Sequence, residues 1–141
     1  MAKAKYAKYI TTECVKEVTK RPGAFITSTR HISDFGGGEL SIDAIYISHP
    51  HLMLTQSHQH EFAQYLSFFS ASPDNPRDFD AEIEICLGEE QEKHIVTCPT
   101  SVYIPAGLFH GPLNFARIGR PVLFLDIALT GEYKRVGNTP D

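Results

Sequence analysis

Residues 105–114 have the sequence PAGLFHGPLN, and this stretch is the most informative part of the chain for its fold. It begins with a Pro-x-Gly turn that leads directly to His110. The pair His58 and His60 lies about fifty residues upstream. Because successive side chains of a β-strand alternate between its two faces, imidazoles at positions i and i+2 point the same way. Three neutral imidazoles that converge inside a small β-domain predict a site for a divalent metal such as zinc, iron, nickel or copper.

The stretch also resembles the second conserved motif of the cupin superfamily, Pro-x-Gly-x-x-His-x-x-x-Asn. The family's glycine six residues before the motif proline corresponds to Pro99 here. The resemblance covers roughly residues 40–130 and implies an all-β cupin double-stranded β-helix, a jelly-roll barrel that holds a metal. The matching positions are Pro105, Gly107, His110 and Asn114.

The first cupin motif opens with His-x-His, which His58 and His60 match. The glycine that the family has six residues ahead of the first histidine is Leu52 in this chain. The glutamate ligand that follows in the family corresponds to Gln64 or Tyr65. The resemblance therefore implies one divalent transition metal (iron, zinc, nickel or manganese), held by His58, His60, Gln64 and His110.

Gln64 has two interpretations in this site. As a ligand, its amide oxygen is neutral and a weaker donor than a carboxylate, so the metal keeps its full +2 charge. Such a centre favours an anionic ligand from outside the protein, a carboxylate or an enolate. Alternatively, Gln64 only donates or accepts hydrogen bonds beside the metal, and the ion keeps an additional water. The sequence leaves both interpretations open.

The composition describes one domain with no sign of a nucleic-acid or membrane partner. The chain has 141 residues, enough for a core of its own, and a net charge of −4. It lacks the basic surface that nucleic-acid binding requires, and no apolar run is long enough to cross a bilayer. Its lysine-containing N-terminus is not followed by the apolar segment of a secretory signal. Cys14, Cys86 and Cys98 form no Cys-x-x-Cys pair, which favours free thiols and a cytoplasmic location.

The pattern along the chain predicts many short strands and no sustained helix. Residues 1–24 form an N-terminal arm, residues 25–135 the barrel and residues 136–141 a tail. The segment 70–80, with two prolines and three aspartates, is a loop long enough to act as a lid. Alternating or β-branched apolar residues predict strands over 25–29, 40–47, 53–60, 64–69, 82–87, 94–97, 101–104 and 122–129.

Two residues are candidates for proton transfer, Tyr103 and Glu84. Glu84 replaces the missing carboxylate ligand only if the glutamate face of its strand points inward, whereas the isoleucine face is the more natural core. Tyr103 alternates with its neighbours, so the sequence does not decide which way it points. Arg117 and Arg120 are the arginines near the second motif, either as carboxylate anchors or as solvated side chains.

The resemblance implies a metal-dependent enzyme of dioxygenase, isomerase or lyase type that acts on a small polar or carboxylate-bearing metabolite. The alternatives are a non-catalytic module that binds a metal or small molecule, and a cupin scaffold with a vestigial site that serves protein association. We expect a homodimer in which the exposed strand 25–29 is covered by a second copy; the alternative is a monomer whose own N-terminal arm covers this edge.

Overall fold

The computed structural model describes residues 5–32 and 35–132, and this part of the chain is built from β-strands apart from one short 3₁₀ helix, Ala7–Tyr9. The prediction of an all-β fold is therefore confirmed. None of the described helices could cross a membrane. The strands are β1 (Val15–Arg21), β2 (Ala24–Ile32), β3 (Glu39–Ile47), β4 (His51–Leu54), β5 (Gln64–Ser70), β6 (Ala81–Leu87), β7 (Glu92–Val96), β8 (Thr100–Ile104), β9 (His110–Ile118) and β10 (Val122–Ala128).

The strands form two antiparallel sheets that face each other across one core. The larger sheet has the order β1-β2-β3-β10-β5-β8, and the smaller has the order β4-β9-β6-β7. Neighbours in these orders are mostly distant in sequence, as in a jelly roll. Phe68 and Phe124 stack between the sheets with ring centroids 4.7 Å apart, and Phe115 of the opposite sheet packs on both. All three are fully buried, so this aromatic cluster holds the sheets together.

The predicted strand over residues 53–60 is wrong in its extent. β4 ends at Leu54, and His58 lies beyond it in an isolated β-bridge with His110. The polar segment Thr55–Ser57 has no apolar alternation to bury, which explains why the strand stops there. The two motif histidines are therefore positioned by pairing with another part of the chain rather than by a continuous strand.

The predicted arm, residues 1–24, contributes β1 to the larger sheet. β1 pairs with β2 from Val15↔Thr29 to Arg21↔Ala24 and forms an edge of the sheet. Most of its side chains are exposed, which leaves this edge uncovered within the described part of the chain. The predicted tail, residues 136–141, lies outside the described residues.

The long loop between β5 and β6 is attached to the smaller sheet. Arg117 donates to Asp80 at 2.7 Å, and Arg120 forms an ion pair with Asp78 at 2.5 Å. Phe79 packs against the core between these two aspartates. The two arginines near the second motif therefore hold this loop in place, and the loop is fixed at its β6 end.

Candidate metal centre

The Pro-x-Gly turn places His110 at the start of β9. Leu108 donates to the carbonyl of Pro105 at 3.2 Å, and Gly107 donates to the carbonyl of His60 at 2.9 Å. Gly107 has φ +85°, a conformation that side-chain-bearing residues rarely adopt. The turn therefore ties the second motif to the first through the backbone.

Gly111 is required immediately after His110. Its φ is +103°, and a Cβ atom here would lie 2.6 Å from the carbonyl oxygen of Gln56. The backbone of β9 can therefore approach the segment before His58 only where there is no side chain. This close approach brings the two motifs into one site.

His58 and His110 face each other across a hydrogen-bonded β-bridge. His58 donates to the carbonyl of His110 at 3.0 Å, and His110 donates back to the carbonyl of His58 at 2.9 Å. Residues paired in this way point to the same side, and His60 follows two positions later. His60 is also stacked on Phe62, with ring centroids 4.6 Å apart.

These contacts bring three imidazoles into one buried cluster. His58, His60 and His110 are 3%, 2% and 1% exposed, and the nitrogen that each offers lies within 4.8 Å of the other two. His110 Nδ1 lies 3.0 Å from the carbonyl of Leu108, so this nitrogen carries the proton and Nε2 keeps its lone pair. Closely packed imidazoles, one of them oriented by a carbonyl, fit a divalent transition metal.

Gln64, at the start of β5, is 1% exposed and lines the same cavity as His58 and His110. Its Nε2 donates to Asp126 Oδ1 at 3.0 Å, which fixes the orientation of the amide because a carboxylate only accepts. The Oε1 atom is buried and has no hydrogen-bond partner among the described residues. A buried acceptor in this state costs free energy unless a metal or a ligand donor occupies the space beside it.

A cavity of about 130 Å³ opens between the sheets at this site. His58, Gln64 and His110 line it together with Asp43 and Asp126. The remaining wall is mostly apolar, formed by side chains such as Ile26, Ile45, Met53, Leu54, Leu113 and Phe124. An apolar cavity with a few convergent polar groups is the usual form of a small-molecule site.

Two carboxylates face each other across neighbouring strands at the wall of the cavity. Asp43 of β3 and Asp126 of β10 are direct cross-strand partners, an arrangement that destabilises a sheet when both are charged. Arg30 forms an ion pair with Asp43 at 2.9 Å, which offsets this repulsion. Sequence reasoning did not propose either aspartate for the site, although Asp126 interrupts an otherwise apolar strand and that interruption was a signal.

The two residues predicted for proton transfer do not line the cavity. Tyr103 is 52% exposed and its ring lies 5.0 Å from that of Tyr65 on the outer face of the larger sheet. Glu84 accepts a hydrogen bond from Asn114 at 3.3 Å and lies 4.0 Å from the ammonium of Lys93. Both point away from the core because their strand neighbours, such as Ile104, are the buried ones.

Comparisons with known proteins agree with this architecture. No family model matches the chain, and no curated protein sequence is similar to it. Among solved structures, KdgF from a Halomonas species has a TM-score of 0.51 at 15% identity, over 86% of this chain and 91% of that one. A recombinant oxalate oxidase in complex with glycolate has a TM-score of 0.57 at 12% identity, over 91% of this chain and 63% of that one.

A variant of Bacillus subtilis oxalate decarboxylase has a TM-score of 0.56 at 12% identity, over 86% of this chain and 29% of that one. This chain therefore spans less than two thirds of the oxalate oxidase and decarboxylase chains. At these identities the similarity shows the fold alone. The chain has the cupin fold that its two motifs predict.

Proposed function

We propose that this cupin-fold protein is a metal-dependent enzyme that acts on a small polar or carboxylate-bearing metabolite. The observation that carries the proposal is the buried cluster of His58, His60 and His110, whose ligand atoms lie within 4.8 Å of one another. Three imidazoles whose ring nitrogens converge in one buried place are a donor set that divalent metals commonly take. A bound cation gives all three a common partner.

The resident ion is one divalent transition metal: iron, zinc, nickel or manganese. Imidazole nitrogen suits iron, zinc and nickel, whereas manganese more often takes oxygen donors such as an amide oxygen, so three histidines and Gln64 do not choose among them. Two structural neighbours support manganese or iron among these four. Bacillus subtilis oxalate decarboxylase has Mn(II) centres, and HppE was solved with Fe(II). The ion supplies Lewis-acid polarisation of a substrate oxygen, or oxygen activation if it is iron.

Gln64 is the fourth donor in this proposal. Its Oε1 is buried, lines the same cavity as His58 and His110, and has no hydrogen-bond partner among residues 5–32 and 35–132. The other polar atom of the amide, Nε2, donates its hydrogen bond to Asp126, which leaves Oε1 as the atom that can bind the ion. A neutral fourth donor leaves the full charge of the ion available to an anionic substrate.

The apolar wall of the cavity binds the body of the substrate and excludes water from the metal end. Tyr103 and Glu84 stay predictions as catalytic residues, and neither borders the cavity in the described structure. The reaction type stays at the level of dioxygenase, isomerase or lyase. The alternative is a non-catalytic cupin that binds a metal or small molecule. It is supported by the observation that neither predicted proton-transfer residue borders the cavity.

Metal content and turnover separate these possibilities. Protein purified without a histidine tag should contain about one transition-metal ion per chain, and His110→Ala should lose most of it because one ligand is removed. His94→Ala is the matched control, since the exposed His94 side chain pairs with Glu92 and with no other side chain among the described residues. A metal-free wild-type protein that also fails to take up iron, zinc, nickel or manganese would refute the proposal.

Oxygen consumption or product formation with small carboxylates then distinguishes the enzyme from the binding module. Turnover that depends on the loaded metal supports the enzyme. Saturable binding with no turnover for any metal supports the binding module instead.

We further propose that the protein is a cytoplasmic homodimer. The three cysteines form no disulfide in the described structure, which suits a reducing compartment. The outer face of the larger sheet has a row of apolar cross-strand partners that would be covered by a second copy. This row consists of Phe25, Tyr46, Leu123 and Phe69 on β2, β3, β10 and β5.

A further inference from the structure

Arg21 lies at the end of β1, is exposed to solvent, and lines the same cavity as His58 and His110. It is the one arginine that the described chain places on the wall of this cavity. Its guanidinium has no ion pair and no hydrogen bond among the described residues, whereas Arg30 is paired with Asp43. A guanidinium at a cavity wall without a carboxylate beside it is a candidate for holding an anion.

His51 points into the space between the sheets from β4. It is the cross-strand partner of Phe115, just as Leu54 is the partner of Leu113, and both partners are fully buried. Cross-strand partners lie on the same face of a sheet, so His51 faces inward on the side of Leu54, which lines the cavity. Its Nε2 is buried and has no hydrogen-bond partner in the described part of the chain.

The turn after β1 packs against the segment before β4, because Ser48 donates to the carbonyl of Gly23 at 3.0 Å and Gly23 also lies against His49. Arg21 and His51 are each two or three residues from this contact. The pKa of His51 lies below its usual value, first because burial disfavours the charged ring and second because the positive charge of Arg21 repels a proton there. The two side chains come from edge strands of different sheets, β1 and β4. Arg21 and His51 are thus on neighbouring parts of the chain, where the edges of the two sheets approach each other.

The charges along the cavity are distributed unequally. Asp43 and Asp126 lie at the same position along the strand direction of the larger sheet, here called a level, and Gln64 is near them. Arg21 pairs with Ala24, and Ala24 pairs with Ile47, which is four residues along β3 from Asp43. At about 3.3 Å per residue, the levels of Arg21 and Asp43 are roughly 13 Å apart. Asp43 is paired with Arg30, so in metal-free protein an anionic group is attracted to the Arg21 level and repelled by Asp126, with apolar wall between.

We propose that Arg21 and His51 form an anion-binding subsite, and that the natural ligand is an elongated carboxylate whose head group binds there. The carboxylate accepts hydrogen bonds from the guanidinium and from His51 Nε2. The apolar chain of the ligand lies along Ile26, Ile45 and Leu54, and its far end reaches the histidines. The role of that far end rests on the proposed function, whereas the subsite itself requires no metal.

The test uses acetate, butyrate and hexanoate with their uncharged amides, titrated into metal-free and zinc-loaded wild-type protein by calorimetry or NMR. We expect the carboxylates to bind the metal-free protein, with affinity rising severalfold for each added methylene as apolar surface is buried. Arg21→Gln and His51→Gln should each weaken hexanoate about tenfold or more and leave hexanamide unchanged, since only the charge-assisted bonds are lost.

Lys20→Gln is the matched control, because Lys20 is also on β1 but its ammonium lies over the ring of Phe25 instead of in the cavity. It should bind hexanoate as the wild type does. Equal effects of Lys20→Gln and Arg21→Gln, or no saturable carboxylate binding in either metal state, would overturn the subsite. Failure of the metal proposal looks different, because hexanoate would still bind and still depend on Arg21 in protein that takes up no metal.

Discussion

The contact between Gln64 and Asp126 makes the effect of Gln64→Glu larger than the sequence alone suggests. The amide donates to Asp126 Oδ1 at 3.0 Å, so a glutamate carboxylate would replace a donor with a second acceptor. Two unit charges at that separation repel by about 5 kcal/mol at an effective dielectric constant of about 20. In metal-free protein the pair should relieve this by sharing a proton, or the new side chain should turn away.

A double-mutant cycle measures this coupling. The variants are Gln64→Glu, Asp126→Asn and the two together, and unfolding is followed in denaturant at pH 8 without metal. The amide oxygen introduced by Asp126→Asn can still accept from Gln64, so this substitution alone should cost little. The double variant exchanges donor and acceptor and restores a charge-assisted bond. We expect Gln64→Glu alone to lose several kcal/mol, and the second substitution to recover about 2 kcal/mol or more.

Metal affinity, measured by competition with a chelator, then tests whether Gln64 is a ligand. If Oε1 is in contact with the ion, the double variant should bind metal more tightly than Asp126→Asn, because a carboxylate is a stronger donor and neutralises part of the charge. Binding of azide at an open position should weaken for the same reason. Additive stabilities would refute the contact with Asp126, and unchanged affinities for both metal and azide would place Gln64 outside the coordination of the metal.

Three further predictions concern the fold around the site. Gly111→Ala should destabilise the protein by about 2–4 kcal/mol and weaken metal binding, since its φ is +103° and a Cβ would meet the Gln56 carbonyl; Gly38→Ala, where a Cβ meets nothing within 4 Å, is the control for the denaturation curves. Phe25→Lys should convert the proposed dimer into a monomer in sedimentation experiments, and a wild-type protein that already sediments as a 15.7 kDa species would reject the dimer. The pKa of His51 is lowered in the folded state, so stability should fall as the pH drops below about 6.5 towards that pKa. His51→Gln should show a smaller loss of Tm across this range. An unchanged pH dependence in the variant would contradict this.

The histidine cluster could be predicted because local chemistry and short-range spacing determine it. The turn from Pro105 to Gly107 has few backbone alternatives, and it leads to His110 whatever the rest of the chain does. Apolar alternation likewise predicted that the segments of β3 and β6 are strands. The prediction that His58 and His60 share a continuous strand was wrong, because the segment before them pairs too little to continue β4.

The direction of individual polar side chains could not be predicted in this way. Whether Tyr103 and Glu84 face the cavity depends on which face of β8 and β6 packs against the opposite sheet, and both faces of each strand have residues that could be buried. A shift of one residue reverses every side chain on a strand. Because the isoleucines of β6 are buried, Glu84 between them points outward.

The sequence by itself therefore determined the all-β class, the turn and the three imidazoles, since each depends on residues close together in the chain or on backbone conformations that few residues adopt. Only the tertiary structure decided what surrounds them. Gln64 and Asp126 are 62 residues apart in sequence and meet because β5 and β10 are neighbours in the larger sheet. Arg21 and His51 lie on edge strands of different sheets. The physical reason is that pairing between distant strands and packing between sheets depend on the burial of the whole core, which no short segment encodes.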